Sequence, residues 1–333
     1  MSEPCRIWRL NLPSKHTVNR TAVSASAVSY SAVHSSIRSG VALLLTTALL
    51  WGATFPIAKP AVMAIDVFWL GAIRYAFLPI AFGLILLAVE GRASLRYEGR
   101  FGHAALVGII GFVGYNLFAF AGLQRTSPEH TALIASLQSV LVALALWVTL
   151  RKRPAGYTLG AIALASVGLL LVVTRGNPAS LGGGKLLGDV LALIGTLAWL
   201  VYILGVPQFP GWSALRYTTL TVIPGAIGLI VAALTATALG YAQPPSMALL
   251  ADHWFAVSYL TIATALLGVL AWNAGIARLG PLNASLFATL IPVVTFVIRS
   301  IQGEQYVAAE LTGAALVIAA LVGNNLYLRR ATR

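Results

Sequence analysis

Ten mostly apolar runs alternate with short polar breaks along the chain, near Gly40–Ile57, Val67–Val89, Ala104–Leu123, Thr131–Leu150, Tyr157–Val173, Leu186–Val206, Tyr217–Leu239, Trp254–Ile276, Asn283–Ile301 and Ala308–Leu328. As helices, runs of this length cross roughly 30 Å of hydrocarbon. The breaks carry residues that do not continue a helix, among them Pro154, Asn177-Pro178, Gly182-Gly183-Gly184, Pro207 to Gly211 and Pro244-Pro245. The pattern predicts an all-α integral membrane protein of ten transmembrane helices, with no soluble domain left over.

Part of the pattern occurs twice. Segments opening at Arg125 and Arg278 align without gaps at an offset of 153 residues, which carries Pro128 onto Pro281, Leu133 onto Leu286, Ala135 onto Ala288, Ser136 onto Thr289, Val140 onto Val293 and Gly160-Ala161 onto Gly313-Ala314. Five spans per half is an odd number, so a second copy enters the bilayer from the opposite face and the sequence repeat becomes an inverted repeat. The halves are expected at residues 39–174 and 186–328, after a disordered cytosolic tail at 1–38 and before a basic tail at 329–333. The copies differ where Ser139 faces Pro292 and Arg151 faces Glu304, so residue roles are not mirrored automatically.

Composition agrees: 59% of residues are hydrophobic and 9% charged, against about 25% charged in soluble domains. The net charge of +13 raises the question of nucleic acid, but the basic residues lie in gaps between apolar runs instead of forming one patch. Counted in alternate connections, sixteen Lys and Arg fall on the side of both termini and three, or five with Lys59 and Arg299, on the other. That imbalance places both termini in the cytosol. The single cysteine, Cys5, excludes an intrachain disulfide. The tail around it lacks the apolar core of a secretory signal, although its Arg and Ser content is also that of a transit peptide.

Candidate chemistry sits inside the spans, where polar groups are expensive. Arg74 and Arg299 need partners or water; they either attract a carboxylate or phosphate into a cavity, or serve as a structural lock and a snorkelling interface residue respectively. Thr47, Trp51 and Thr54 share one face of the first span. Tyr115, Asn116, Gln138, Trp199, Tyr202, Trp272 and Asn273 lie within other spans, and either line a path or bridge helices. Pro292 is expected to break the ninth span near its middle. Every acid lies at or near a span end, so no proton relay is evident, with Asp189 and Glu304 the candidates for one. Gly182-Gly183-Gly184-Lys185 lacks the first Gly and the final Ser or Thr of a phosphate-binding loop. The histidines are scattered, and no metal or cofactor is implied.

Several ordered motifs are similar to the drug/metabolite transporter superfamily, in particular its EamA-type members built of two five-helix repeats. They are Leu50-Trp51-Gly52-Ala53-Thr54-Phe55 with Lys59, Arg74, Trp199 with Tyr202, Trp272-Asn273-Ala274-Gly275, Arg278-Leu279-Gly280, Ile291-Pro292-Val293, Gly303-Glu304 and Leu311-Thr312-Gly313-Ala314-Ala315-Leu316. The likeness covers roughly Gly40 to Leu328. It implies a bacterial inner-membrane carrier that exports a small metabolite, and amino acids are among the compounds such relatives move. The two cations and the aromatic lining make an amino acid the expected solute. Rival readings are efflux or uptake of another small solute, such as a drug, sugar or nucleotide precursor, and a membrane enzyme or scaffold without a through-path.

Overall fold

The computed structural model describes residues 22–151, 153–177, 185–279, 284 and 287–331. Among these the long elements are all helices: α1 (Ala22–Ala64), α2 (Val67–Glu90), α3 (Phe101–Arg125), α4 (Pro128–Ser136), α5 (Gln138–Leu150), α6 (Gly156–Thr174), α7 (Lys185–Gln208), α8 (Ala214–Ala238), α9 (Trp254–Leu279), α10 (Leu290–Ile301) and α11 (Ala308–Ala331). No strand occurs among the described residues. Local sequence explains several starts. Asp66 accepts the Phe68 N–H before α2, Ser127 caps α4 with Pro128 behind it, and Ser213 caps α8, so the first free N–H groups of each helix find oxygen.

Among the described residues, eight helices are long and apolar enough to cross a membrane: α2, α3, α6, α7, α8, α9, α11 and the Ile37–Ala64 part of α1. The apolar run expected as the fourth span is divided at Leu137 into α4 and α5. In the run expected as the ninth, a turn at Thr289 precedes α10, while Asn283 and its neighbours lie outside the described residues. Ser136 aligns with Thr289, so the two turns fall one residue apart in the aligned copies. Pro292 is therefore not the break. It sits in the first turn of α10, where a missing N–H leaves no helical bond unmade.

Residues 22–38 continue α1 without interruption, because no Gly or Pro between Thr21 and Gly40 ends the helix. Residues 1–21 lie outside the described chain.

Two spans carry long π-helical stretches, Ile109–Ala119 in α3 and Tyr259–Gly268 in α9. Helix packing has a regular order: α3 lies on α7 and α9 on α1; α4 and α5 meet α7, and α10 meets α1; α2 pairs with α8, α4 with α10, and α6 with α11. The buried apolar groups form three clusters, centred on Phe82, Phe112 and Leu229, on Phe55, Leu70 and Leu260, and on Leu133, Ala165 and Val317. Large apolar side chains such as Leu49, Ile80, Val167 and Val231 point outward. A helix that is apolar on both its packed and its exposed face is in lipid, and the protein is an integral membrane protein.

Candidate functional site

Arg74 is the centre of the site. It lies about two turns inside the start of α2 and is 3% exposed. Its Nη1 donates to Asn116 Oδ1 at 3.0 Å, and its Nη2 donates to the Leu260 carbonyl at 3.2 Å. The guanidinium lies 4.7 Å from the Phe120 ring centroid, a cation–π distance. One polar partner thus comes from each π-helical stretch. The wider i→i+5 turn disturbs the usual carbonyl pairing, and oxygens of the α9 stretch are taken by other spans: Leu260 by Arg74, Thr264 by the Trp51 Nε1–H at 3.2 Å, and Gly268 by the Thr47 hydroxyl at 3.3 Å. In α3, Asn116 Nδ2 donates to Phe112 O at 2.7 Å, which aims its oxygen at Arg74. No carboxylate pairs with Arg74 among the described residues. Its Nε has no partner there either. A buried cation held only by neutral dipoles is a standing attraction for an anion.

Aromatic side chains form two groups. Trp51 of α1 meets Trp272 of α9 at 5.3 Å. Across the bundle, Trp199 stacks on Tyr202 at 4.6 Å and meets Tyr115 at 5.6 Å and Phe112 at 5.9 Å. The Thr54 hydroxyl lies 3.1 Å from that of Thr264. The Tyr202 hydroxyl shares Thr218 with Asn273 Nδ2, at 3.0 and 3.4 Å. Trp51, Tyr115, Trp199, Trp272 and Asn273 are half-buried. The arrangement offers flat apolar surface and hydroxyls beside one positive charge.

Charged networks close both ends of the bundle. At one end Arg299 Nε donates to Glu129 at 3.0 Å and its Nη2 to Glu304 at 2.5 Å, and the Tyr306 hydroxyl donates to Glu129 at 2.9 Å. Burial, and next the Glu129 charge, push the Tyr306 phenol up, so it stays a donor at physiological pH. Arg175 and Glu310 form a two-point pair at 3.0 and 3.1 Å, and Lys59 caps the carbonyls of Leu123, Gln124 and Thr126. His130 Nδ1 lies 3.0 Å from Asp189 Oδ1, which also accepts the Thr126 hydroxyl at 2.6 Å. At the opposite end Arg216 donates to Glu98 at 2.8 Å, and Trp212 Nε1 donates to the same carboxylate at 3.1 Å. Those two bonds, Arg216 first, hold the Glu98 carboxyl below its ordinary range.

Arg74 meets Asn116 and the Phe120 ring, Trp51 meets Trp272, and Trp199 meets Tyr115 and Tyr202; one reading changes. Arg299 is not part of that centre, nor a snorkelling side chain. It is the hub of the end network, holding Glu129 and Glu304. The acids were read as span-end residues, yet Glu129 and Asp189 are 3% and 6% exposed, because α4, α7 and α10 pack their ends against one another. Gln138 is half-buried at the first residue of α5, directly after the turn at Leu137. Sequence reasoning missed Glu129, His130, Tyr306, Thr264 and the Leu260 carbonyl. The one available signal was Glu129-His130 directly behind Ser127-Pro128. Among the described residues, no group of three or more His, Cys, Asp or Glu is placed to hold a metal.

Comparison with known proteins follows this geometry. Residues 38–174 match the EamA-like transporter family. The chain is 34% identical over 299 residues to the uncharacterized transporter YrdR of Bacillus subtilis (strain 168), covering 87% of this chain and 92% of that protein. It is 31% identical over 283 residues to the uncharacterized transporter YyaM of the same organism, covering 83% and 90%. A solved structure described as "Crystal structure of protein" superposes with a TM-score of 0.62 at 23% identity, over 88% of this chain and 99% of that one.

Proposed function

The chain belongs to the EamA-like transporter family, and from that premise we propose that it is a secondary carrier that exports a small carboxylate-bearing metabolite, an amino acid first, by alternating access. It acts as a transporter and not as an enzyme. The observation that carries the solute class is Arg74: a fully buried guanidinium with neutral partners only, beside aromatic surface suited to an apolar body. The same charge opposes a lipophilic cation.

The architecture we propose is ten spans in two inverted five-helix halves, 39–174 and 186–328. Packing supports it: exchanging the halves turns the α3–α7 contact into α9–α1, turns α4 and α5 on α7 into α10 on α1, and returns α2–α8, α4–α10 and α6–α11 to themselves. The π-helical stretches and the turns at Leu137 and Thr289 recur in matching spans. On this reading both termini face the cytosol of a bacterial cell, and the end built around Arg299 faces outward, in keeping with the distribution of Lys and Arg.

Counterflow in liposomes tests the proposal. Purified protein loaded with unlabelled amino acid is expected to accumulate labelled amino acid, and Arg74→Gln to reduce the initial rate by about tenfold or more. Wild-type exchange in a properly folded Arg74→Gln variant removes the carboxylate site, and no flux of amino acids or other small acids removes the solute class.

A further inference from the structure

An amino acid brings two charges to the centre. Its carboxylate suits Arg74, but its ammonium group adds a second cation beside the guanidinium and needs oxygen or aromatic surface of its own. The atoms that can receive it are acceptors on which no donor is already spent.

Threonines inside these helices, among them Thr47, Thr54, Thr221, Thr237 and Thr261, return the hydroxyl hydrogen to the carbonyl four residues back. Thr264 of α9 does not. The carbonyl four residues before it is that of Leu260, which Arg74 holds, and its hydroxyl instead lies 3.1 Å from that of Thr54. Because the Thr54 hydrogen goes to the Leu50 carbonyl at 3.0 Å, Thr264 is the donor of that contact. Among the described residues no donor reaches Thr264 Oγ1 in turn, so its two lone pairs are open. Aromatic surface lies beside it. The Thr264 carbonyl takes the Trp51 Nε1–H at 3.2 Å, and the Trp51 ring lies 5.3 Å from that of Trp272.

The spacing fits as well. Leu260, whose carbonyl Arg74 holds, and Thr264 are one turn apart on α9, about 6 Å along the axis. A single α-amino acid spans that interval, with hydrogen bonds of about 3 Å to Arg74 at one end and Thr264 at the other. The hydroxyl of Thr218 is not equivalent, because Asn273 Nδ2 already donates to it and the Tyr202 hydroxyl meets it.

We infer that Thr264 Oγ1, with Thr54 and the Trp51–Trp272 pair beside it, is an ammonium subsite, so that the solute is held as a zwitterion. The subsite rests on the carboxylate reading of Arg74 proposed above. A cation without a carboxylate is still opposed, since only a solute that engages Arg74 offsets the charge already there.

Competition during counterflow tests it, with each amino acid paired to the acid that lacks only its ammonium group: alanine with propionate, leucine with 4-methylpentanoate, and phenylalanine with 3-phenylpropionate. In wild-type protein the amino acid that competes best is expected to do so about tenfold more strongly than its partner acid. Thr264→Val strands no hydroxyl, because Thr54 keeps its bond to Leu50. It is expected to weaken the amino acid alone and bring the pair to within about twofold, whereas Thr264→Ser, which retains the hydroxyl, keeps the preference. Equal competition by both members in wild type, a preference that persists in Thr264→Val, or equal weakening of both members by that substitution overturns the subsite and leaves the carboxylate reading standing. Wild-type protein that exchanges neither amino acids nor their partner acids overturns both.

Discussion

At the scale of single residues, the polar contact of Arg74 with Asn116 can be separated from any role in binding. Asn116→Leu leaves Nη1 buried without its acceptor, which costs on the order of 1–3 kcal/mol. Arg74→Met with Asn116→Leu removes both partners, and replacing a buried polar pair by apolar groups is often close to neutral. Chemical denaturation in detergent is therefore expected to show a destabilised single variant and a double variant near wild type, with positive coupling across the cycle. The double variant is nonetheless expected to show no exchange of amino acid. Wild-type stability in Asn116→Leu shows that the bond contributes nothing. These two residues were legible in the sequence because a guanidinium and an amide within an apolar run are costly wherever they lie. Glu129 and Asp189 were not. Their linear position says "near a helix end", and only the packing of several ends against one another turns that position into burial.

At the scale of helices, eight of the ten apolar runs coincide, among the described residues, with helices long and apolar enough to cross a membrane, the second of them bent at Phe77, and the fourth and ninth do not. What stayed hidden is local. A π-helical stretch uses the same apolar residues as an α-helix, so nothing in Ile109–Ala119 or Tyr259–Gly268 distinguishes it beforehand. The turns at Leu137 and Thr289 carry neither Gly nor Pro at the break itself. Close crossings were partly readable from glycine. Gly168 of α6 and Gly313 of α11 face each other so closely that a Cβ on the first would stand 2.6 Å from the Gly313 carbonyl, and a Cβ on the second 2.5 Å from that of Gly168. Backbone on both sides cannot yield as a side chain would. Gly168→Val is thus expected to push α6 from α11 and destabilise the protein by about 1–3 kcal/mol, whereas Gly160→Val, which has open space at its Cβ, leaves stability close to unchanged. Equal melting temperatures for the two variants would show that this crossing is not tight.

At the scale of the whole molecule, both ends are tied, and the alternating access proposed above requires the ties to break one at a time. They are unequal. Glu129 is buried, and removing Arg299 strands its charge, the situation that costs several kcal/mol in buried pairs. Glu98 is half exposed; its bond to Arg216 is screened by water and contributes little. Its depressed carboxyl stays ionised above the ordinary carboxylate range and gives up its contribution only in acid, as pH falls through the lowered value. Arg299→Gln is accordingly expected to move the population toward forms open at the Glu129 end. Maleimide labelling of Val172→Cys, on the wall of a small cavity at that end and in a Cys5→Ser background, should rise about tenfold or more, since a coupling of 1–3 kcal/mol shifts an equilibrium 5- to 150-fold. Glu98→Gln should leave labelling of Val172→Cys within about threefold of the parent, as a weak exposed pair demands. Comparable effects from the two substitutions would mean that the ends are equivalent gates, in which case the pseudo-symmetry proposed for the halves extends to their energetics and the buried acid of α4 is no more than a structural contact.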